Sequence, residues 1–501
     1  MADTVIANPT YIEHVRHFFE DVDLEHMFKR GYDLTTYPTL KANEQAVIDQ
    51  TRPPNAAMPP EPERKWSQER FQSFQNWVNN GFPLGTVTPL PVQPPTPAER
   101  MRKDARDLSD EEQQTLARAF QGLMDRDPDD PTSYFAIAGQ HWFPNIHCHH
   151  HDDRYHPWHR AYIRTFEDAL RSVPGCADVT LPYWDITNAP PDFLYSAPFD
   201  SYTLPRDIHI DEDDPNRSYP AGYRTSRFAA KVIKDNVAFR QIPEGITVAL
   251  ALFSWGDFAL ANATGIEWHP HDGGHVATGK TMSVPDAASF DPIFWFFHAN
   301  WDRLWWQWQL AMQAATRWSF RSTVTSGLTG FLSGPDNNVL EGTGDYKRAE
   351  LQLDLAASGV GYALPHDAAP VVMGAAPAMF GSAVASRRMK VGTGPVVSVR
   401  VKGINRLPIP GSFDLVLKAD GEPIGRRPFF QSTKPLECGT CRERGVIDLD
   451  FRVDADAVVG RDLTAEIELL APGAERIGRR FPLRGAGDPT INARLLLQDS
   501  E

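Results

Sequence analysis

His271-Asp272-Gly273-Gly274-His275 is followed by Asp291-Pro292-Ile293-Phe294-Trp295-Phe296-Phe297-His298-Ala299-Asn300-Trp301-Asp302-Arg303. A spacing of four puts His271 and His275 on one face of a helix, where they can bind one ion together. His298 begins another helix, running to Ala315 and rich in tryptophan, and can supply a third ligand. Upstream, His141, then Cys148-His149-His150, then His156-Pro157-Trp158-His159-Arg160 offer a second set in His141, His150 and His159. Three neutral imidazoles leave a metal coordinatively open, as a catalytic site requires. Six imidazoles with no obvious carboxylate partner suit copper better than magnesium or calcium. A zinc protease would carry His-Glu-x-x-His, but Asp272-Gly273-Gly274 fills that gap.

The rest of the chain bounds this reading. Its 501 residues leave room for two to four domains, and 41% hydrophobic with 23% charged residues is a globular composition. A net charge of -15 without basic runs argues against nucleic acid and anionic membranes as partners. The best apolar run, Val248 to Trp255, is far too short to span a bilayer. The N-terminus has neither a basic nor an apolar leader region, so the expected location is the cytoplasm, or export by a route that needs neither. Four cysteines in so long a chain do not make a disulfide framework.

The spacing predicts four blocks. Residues 1–85 read as a helical extension, with a helix from Ser67 to Val78 and Gly81 to end it. Residues 86–97 are a Pro/Thr-rich linker. Residues 98–365 hold both histidine sets, and Ser109-Asp110-Glu111-Glu112 is a capping box opening a helix through Leu123. An Ala/Pro/Gly-rich linker at 366–385 precedes residues 386–501, whose alternating runs at 396–401, 413–417 and 447–453 predict a small β-sandwich.

The order His141…Cys148-x-His150…Pro157-Trp158-His159-Arg160-x-Tyr162 resembles the first copper motif of tyrosinases. Asp291-Pro292-x-Phe294-Trp295-x-x-His298-x-x-x-Asp302-Arg303-Leu304-Trp305 resembles their second. Leu181-Pro182-Tyr183-Trp184-Asp185 is also typical. The resemblance covers roughly 98–365 and implies a mainly α fold, with two copper ions inside a four-helix bundle. By position, His141, His150 and His159 would bind one copper and His271, His275 and His298 the other. The remaining histidines of these stretches, His147, His149, His151, His156 and His269, would be bystanders. Cys148 sits where fungal-type members join a cysteine to a histidine by a thioether, here to His150; otherwise it is a free buried thiol. Glu267 stands where the family places a carboxylate that holds a water. Asp272 replaces the commoner Asn beside the first ligand of the second set; with Glu267 it is expected to assist in removing the phenol proton, or else to repel acidic substrates and alter monophenol turnover. Phe297 replaces a histidine that usually precedes the third ligand. Val284 and Pro285 fall at the gate over the site.

The β-block resembles, less specifically, the shielding domain of latent enzymes. It offers Phe429 as the aromatic filling the pocket and Cys438-x-x-Cys441 as a soft-metal pair for copper delivery. Residues 1–147 hold no cysteine, so a Cys-x-x-Cys-His haem attachment is excluded, and the N-terminal block is expected to be a lid or a homo-oligomer contact. The resemblance implies an O2-dependent oxidase acting on phenolic small molecules, hydroxylating monophenols and taking o-diphenols to o-quinones. The rivals are a catechol oxidase without the hydroxylation step and a haemocyanin-like oxygen carrier.

Overall fold

The computed structural model describes residues 4–86, 88–90, 95–143, 146–212, 215–261, 264–324, 330–332, 338–366, 396–470 and 479–496. Its N-terminal part is helical. Helix α1 (Asp21–Lys29) and helix α2 (Gln68–Asn79) enclose a small core of Trp66, Phe71, Phe74 and Trp77. The Ser67 side chain caps α2 by accepting from the Arg70 N–H at 3.0 Å. This core is completed by Trp318 from the histidine-bearing part. Arg321 reaches back to Asp33 at 3.1 Å and to the Thr35 hydroxyl at 2.7 Å.

Four helices frame the centre of the molecule: α3 (Asp110–Met124), α4 (Tyr155–Arg171), α5 (Asp272–Thr278) and α6 (Ile293–Ala311). The capping box at Ser109 and Glu112 opens α3 as the sequence predicts. Helices α4 and α6 both start earlier than expected, because the apolar residues preceding His159 and His298 are themselves buried. Within α6, Phe294, Trp295, Phe296 and Phe297 are all inaccessible to solvent. A helix apolar all round must be wrapped on every side. Gly274 is what lets α5 lie against α6: a Cβ there would fall 2.8 Å from the Phe297 ring.

Asp302 fastens the bundle. Its buried carboxylate accepts from Arg160 Nε of α4 at 2.5 Å, from Arg102 at 3.3 Å and from the Tyr362 hydroxyl at 2.6 Å. Arg102 and Tyr362 belong to two three-residue strands, β1 (Arg100–Arg102) and β2 (Val360–Tyr362), which pair in parallel.

The C-terminal part is a sandwich of two antiparallel sheets. One has the order β6-β3-β9, from β3 (Val396–Asn405), β6 (Val446–Asp454) and β9 (Thr490–Leu496). The other has the order β5-β4-β7-β8, from β4 (Phe413–Ala419), β5 (Glu422–Phe429), β7 (Leu463–Leu469) and β8 (Arg480–Phe481). Alternate residues Val397, Val399 and Val401 of β3 face a core shared with Leu415, Leu417 and Phe451. Apart from His366, the Ala/Pro/Gly-rich stretch 366–385 lies outside the described residues. No described helix is long and apolar enough to cross a membrane.

Candidate metal centre

Six local elements bring six imidazoles together. His159 and His298 lie on α4 and α6, with rings stacked at 4.4 Å and 7° between planes. His275 lies on α5. His271 ends a π-helical turn, Glu267–His271, that runs straight into α5, so the expected single helix face is built from two joined turns. His141 follows the short helix Tyr134–Gly139, and His150 sits in the loop before α4. The ring nitrogens of His141, His150 and His159 lie within 4.8 Å of one another, and those of His271, His275 and His298 do the same.

The hydrogen bonds fix which nitrogen faces inward. Nδ1–H of His141 donates to the Pro285 carbonyl at 3.2 Å, that of His159 to Tyr155 at 2.8 Å and that of His275 to Met282 at 2.9 Å. His271 Nδ1–H donates to Asp272 Oδ1 at 3.0 Å. Each of these leaves Nε2 as a lone pair. The Nε2 atoms of His271 and His275 then face each other at 3.1 Å, which two lone pairs tolerate only beside a cation. The Nε2 atoms of His141, His150, His159 and His298 are buried without any hydrogen-bond partner. Burial pushes the pKa of His141 down to about 3 and the other five well below the ordinary range, so all six imidazoles are neutral. Two clusters of three neutral nitrogen donors, open on one side, fit two copper ions.

Three further residues border the second cluster. Glu267 Oε1 accepts the backbone N–H of His151 at 2.5 Å, while Oε2 is buried without a partner. Burial, and secondly Asp272, push the Glu267 carboxyl well above the ordinary carboxylate range. Asp272 Oδ2 accepts from His151 Nε2–H at 2.8 Å and from the Phe430 backbone N–H at 3.1 Å. His151, expected as a bystander, therefore touches both carboxylates.

The phenylalanine lying against the histidines is Phe430, whereas the expected Phe429 is turned away from them. Phe430 stacks on His275 at 4.1 Å and 12° and stands edge-on to His150 at 5.5 Å. Phe429 is the last residue of β5, paired with Phe413, and its side chain belongs to the sandwich core. Successive strand residues point to opposite sides, so one of two adjacent phenylalanines had to face the core. Val284 is buried. Pro285 contributes its carbonyl to His141, so the structure gives this gate position a ligand-orienting contact. Phe297 packs on His275 at 4.5 Å.

Cys148 Sγ lies 3.4 Å from His150 Nδ1, and burial raises its thiol pKa well above the ordinary range. Cys438 and Cys441 line the same small cavity as Cys148 and His150, with a volume of about 10 Å³. The Cys441 thiol, by hydrogen bonding, holds the pKa of Cys438 down, with Arg406 assisting. The sequence spacing of Cys438 and Cys441 could not show that the fold carries them to the first histidine cluster.

Known proteins are similar to this chain over its histidine-bearing part. Residues 131–311 match the family model described as the common central domain of tyrosinase. Tyrosinase HcTyr1 of Hahella sp. is 28% identical over 252 residues, 42% of this chain and 53% of that protein, so the chain spans about half the length of this relative. Hemocyanin 2 of Megathura crenulata is 29% identical over 231 residues, 42% of this chain and 6% of that protein. The solved tyrosinase from Burkholderia thailandensis superposes with a TM-score of 0.58 at 20% identity, covering 79% of this chain and 100% of that one. Residues 131–311 are thus similar to a tyrosinase central domain, and two copper ions are the cofactor that its two histidine triads fit.

Proposed function

We propose that the protein is a phenol oxidase that ortho-hydroxylates monophenols and oxidises o-diphenols to o-quinones, held in a latent state by its own β-sandwich. The observation that carries this reading is Glu267. It is a fully buried carboxylate beside the histidines, with one oxygen satisfied and the other, Oε2, without a partner. An oxygen carrier has no proton to move; a monophenol has one, with a pKa near 10 in water.

Copper held by His141, His150, His159, His271, His275 and His298 supplies the oxygen chemistry when bound. The chain's own residues do the rest. Glu267 Oε2 accepts the phenol proton, and its raised pKa narrows the gap to the phenol. Asp272 orients His271 through Oδ1. The aromatic walls, Phe294, Phe297 and Trp301, keep water out and align a flat ring. Phe430 occupies the place such a ring would take, stacked on His275, which supports latency. Cys438 and Cys441, which line a cavity with His150, would pass Cu(I) toward the first cluster, and Cys148 would join a His150 ring carbon in a thioether, with O2 taking up the two hydrogens lost.

An oxygen-carrier reading draws on Phe430 too, since a covered centre admits O2 but no phenol. Oxygen uptake by the copper-loaded chain, with tyrosine and with a catechol, separates the two. The Phe430→Ala chain is expected to consume O2 with both substrates at a rate at least about tenfold above the parent. Reversible O2 binding with no quinone from either substrate would leave the carrier, and turnover of the catechol alone would leave the catechol oxidase.

A further inference from the structure

His151 has backbone φ of 58°, in the left-handed region that a side chain other than glycine adopts only at a cost. Such strain persists where surrounding contacts over-determine it. Here two of those contacts are hydrogen bonds to carboxylates beside the histidine clusters. The backbone N–H of His151 holds Glu267 Oε1 at 2.5 Å, and its ring Nε2–H holds Asp272 Oδ2 at 2.8 Å. The left-handed turn points both donors of one residue at two different buried carboxylates. Asp272 in turn fixes the ring of His271. The His151 ring also touches Trp268 of the core at 4.5 Å and Phe429 of β5 at 4.6 Å, the latter with planes inclined by 22°.

We propose that His151 is the positioning residue of this centre. It sets Glu267 and Asp272 around the copper-binding His271, and its hold depends on the docked sandwich, because Phe429 stacks on the ring that grips Asp272. Phe429 and Phe430 then have separate tasks. Phe430 fills the pocket, while Phe429 braces the residue that orders the carboxylates. Undocking removes both, and also the Phe430 N–H from Asp272 Oδ2. The copper part of this inference stands on the histidine geometry alone; the turnover part rests on the phenol-oxidase reading.

The test uses full-length, copper-loaded chains carrying Phe430→Ala, alone or with His151→Phe, His151→Asn or Phe429→Leu. His151→Phe keeps a ring for Trp268 and Phe429 but loses the Nε2–H. His151→Asn suits the left-handed backbone better and loses the ring. Copper retention is read against a graded chelator, and steady-state rates against a monophenol and a catechol. Both His151 substitutions are expected to release one of the two copper ions at about tenfold lower chelator concentration, the usual scale for a lost ligand-orienting contact. Monophenol kcat is expected to fall about tenfold or more, with KM and catechol kcat within about threefold. Phe429→Leu should show the same single-ion shift in weaker form. Parent-like retention of both ions in the His151 chains, or equal loss of both, would overturn the positioning role. Parent-like retention in Phe429→Leu would overturn the dependence on the sandwich. If the Phe430→Ala chain oxidises neither substrate, the phenol-oxidase reading fails, while chelator competition still decides on His151.

Discussion

Glu267 and Asp272 are both fully buried carboxylates, yet their surroundings assign them different work. Asp272 spends its oxygens on three donors: His271, His151 and the Phe430 N–H. Glu267 keeps Oε2 free. On the phenol-oxidase reading Asp272 is then the orienting group and Glu267 the available base, a division the sequence could not draw because both occupy motif positions. Replacing Glu267 by Gln preserves the bond to His151 while removing the base. In the Phe430→Ala chain, monophenol kcat is expected to fall by about 10²–10⁴, the range for a lost general base. Catechol turnover should fall far less; equal losses on both substrates would remove Glu267 from the proton path. His271 and His275 were legible because a spacing of four predicts a shared helix face, and His141, His150, His159 and His298 because they stand at motif positions. His151 was not, since its importance comes from a positive φ and from partners more than a hundred residues away.

At the scale of elements, helix α6 carries the centre and its foundation together. His298 lies one turn from its aromatic start, and Asp302 one turn further, where α4, β1 and β2 converge. The Asp-Arg pair of the motif could be read from sequence, but its partners Arg102 and Tyr362 could not, because nothing local links residues 102 and 362. Asp302→Ala leaves Arg160 short of its buried counter-ion and is expected to cost about 3–5 kcal/mol. Denaturant unfolding followed by tryptophan fluorescence would show this as a lower midpoint; an unchanged midpoint would mean that Glu167, Gln309 and the Gln352 carbonyl suffice. The N-terminal block meets the other end of α6, where Arg16 donates to the Met312 carbonyl. At 1.5 Å per residue that end is about 20 Å from His298, so the expected lid is not found over the histidines among the described residues.

Across the whole molecule, three buried carboxylates of the interface hold the sandwich down. Asp272 takes Phe430, Asp286 takes Ser432 and Thr433 at 3.1 Å each, and Asp414 meets Arg240 in a two-pronged pair at 2.8 and 3.0 Å. On the latent reading, release of Phe430 from the histidines would therefore require these polar bonds to part as well. Arg240→Leu leaves Asp414, among the described residues, with the more distant Arg426 at 3.7 Å as its cationic neighbour. After cleavage between Tyr362 and Val396, the sandwich of this variant is expected to separate from the core on gel filtration, with catechol oxidation rising several-fold above the cleaved parent. Retention and activity matching the parent would show the pair to be dispensable. The small parallel pair of β1 and β2 gives that cleavage its meaning. It brings residue 100 beside residue 360, so the histidine-bearing body is a closed loop of chain with its own knot of side chains at the clasp. A protease acting beyond the clasp opens nothing inside the loop. If the sandwich is the cover proposed above, such a cut would turn a tethered cover into a free one, whose departure is then set by dilution.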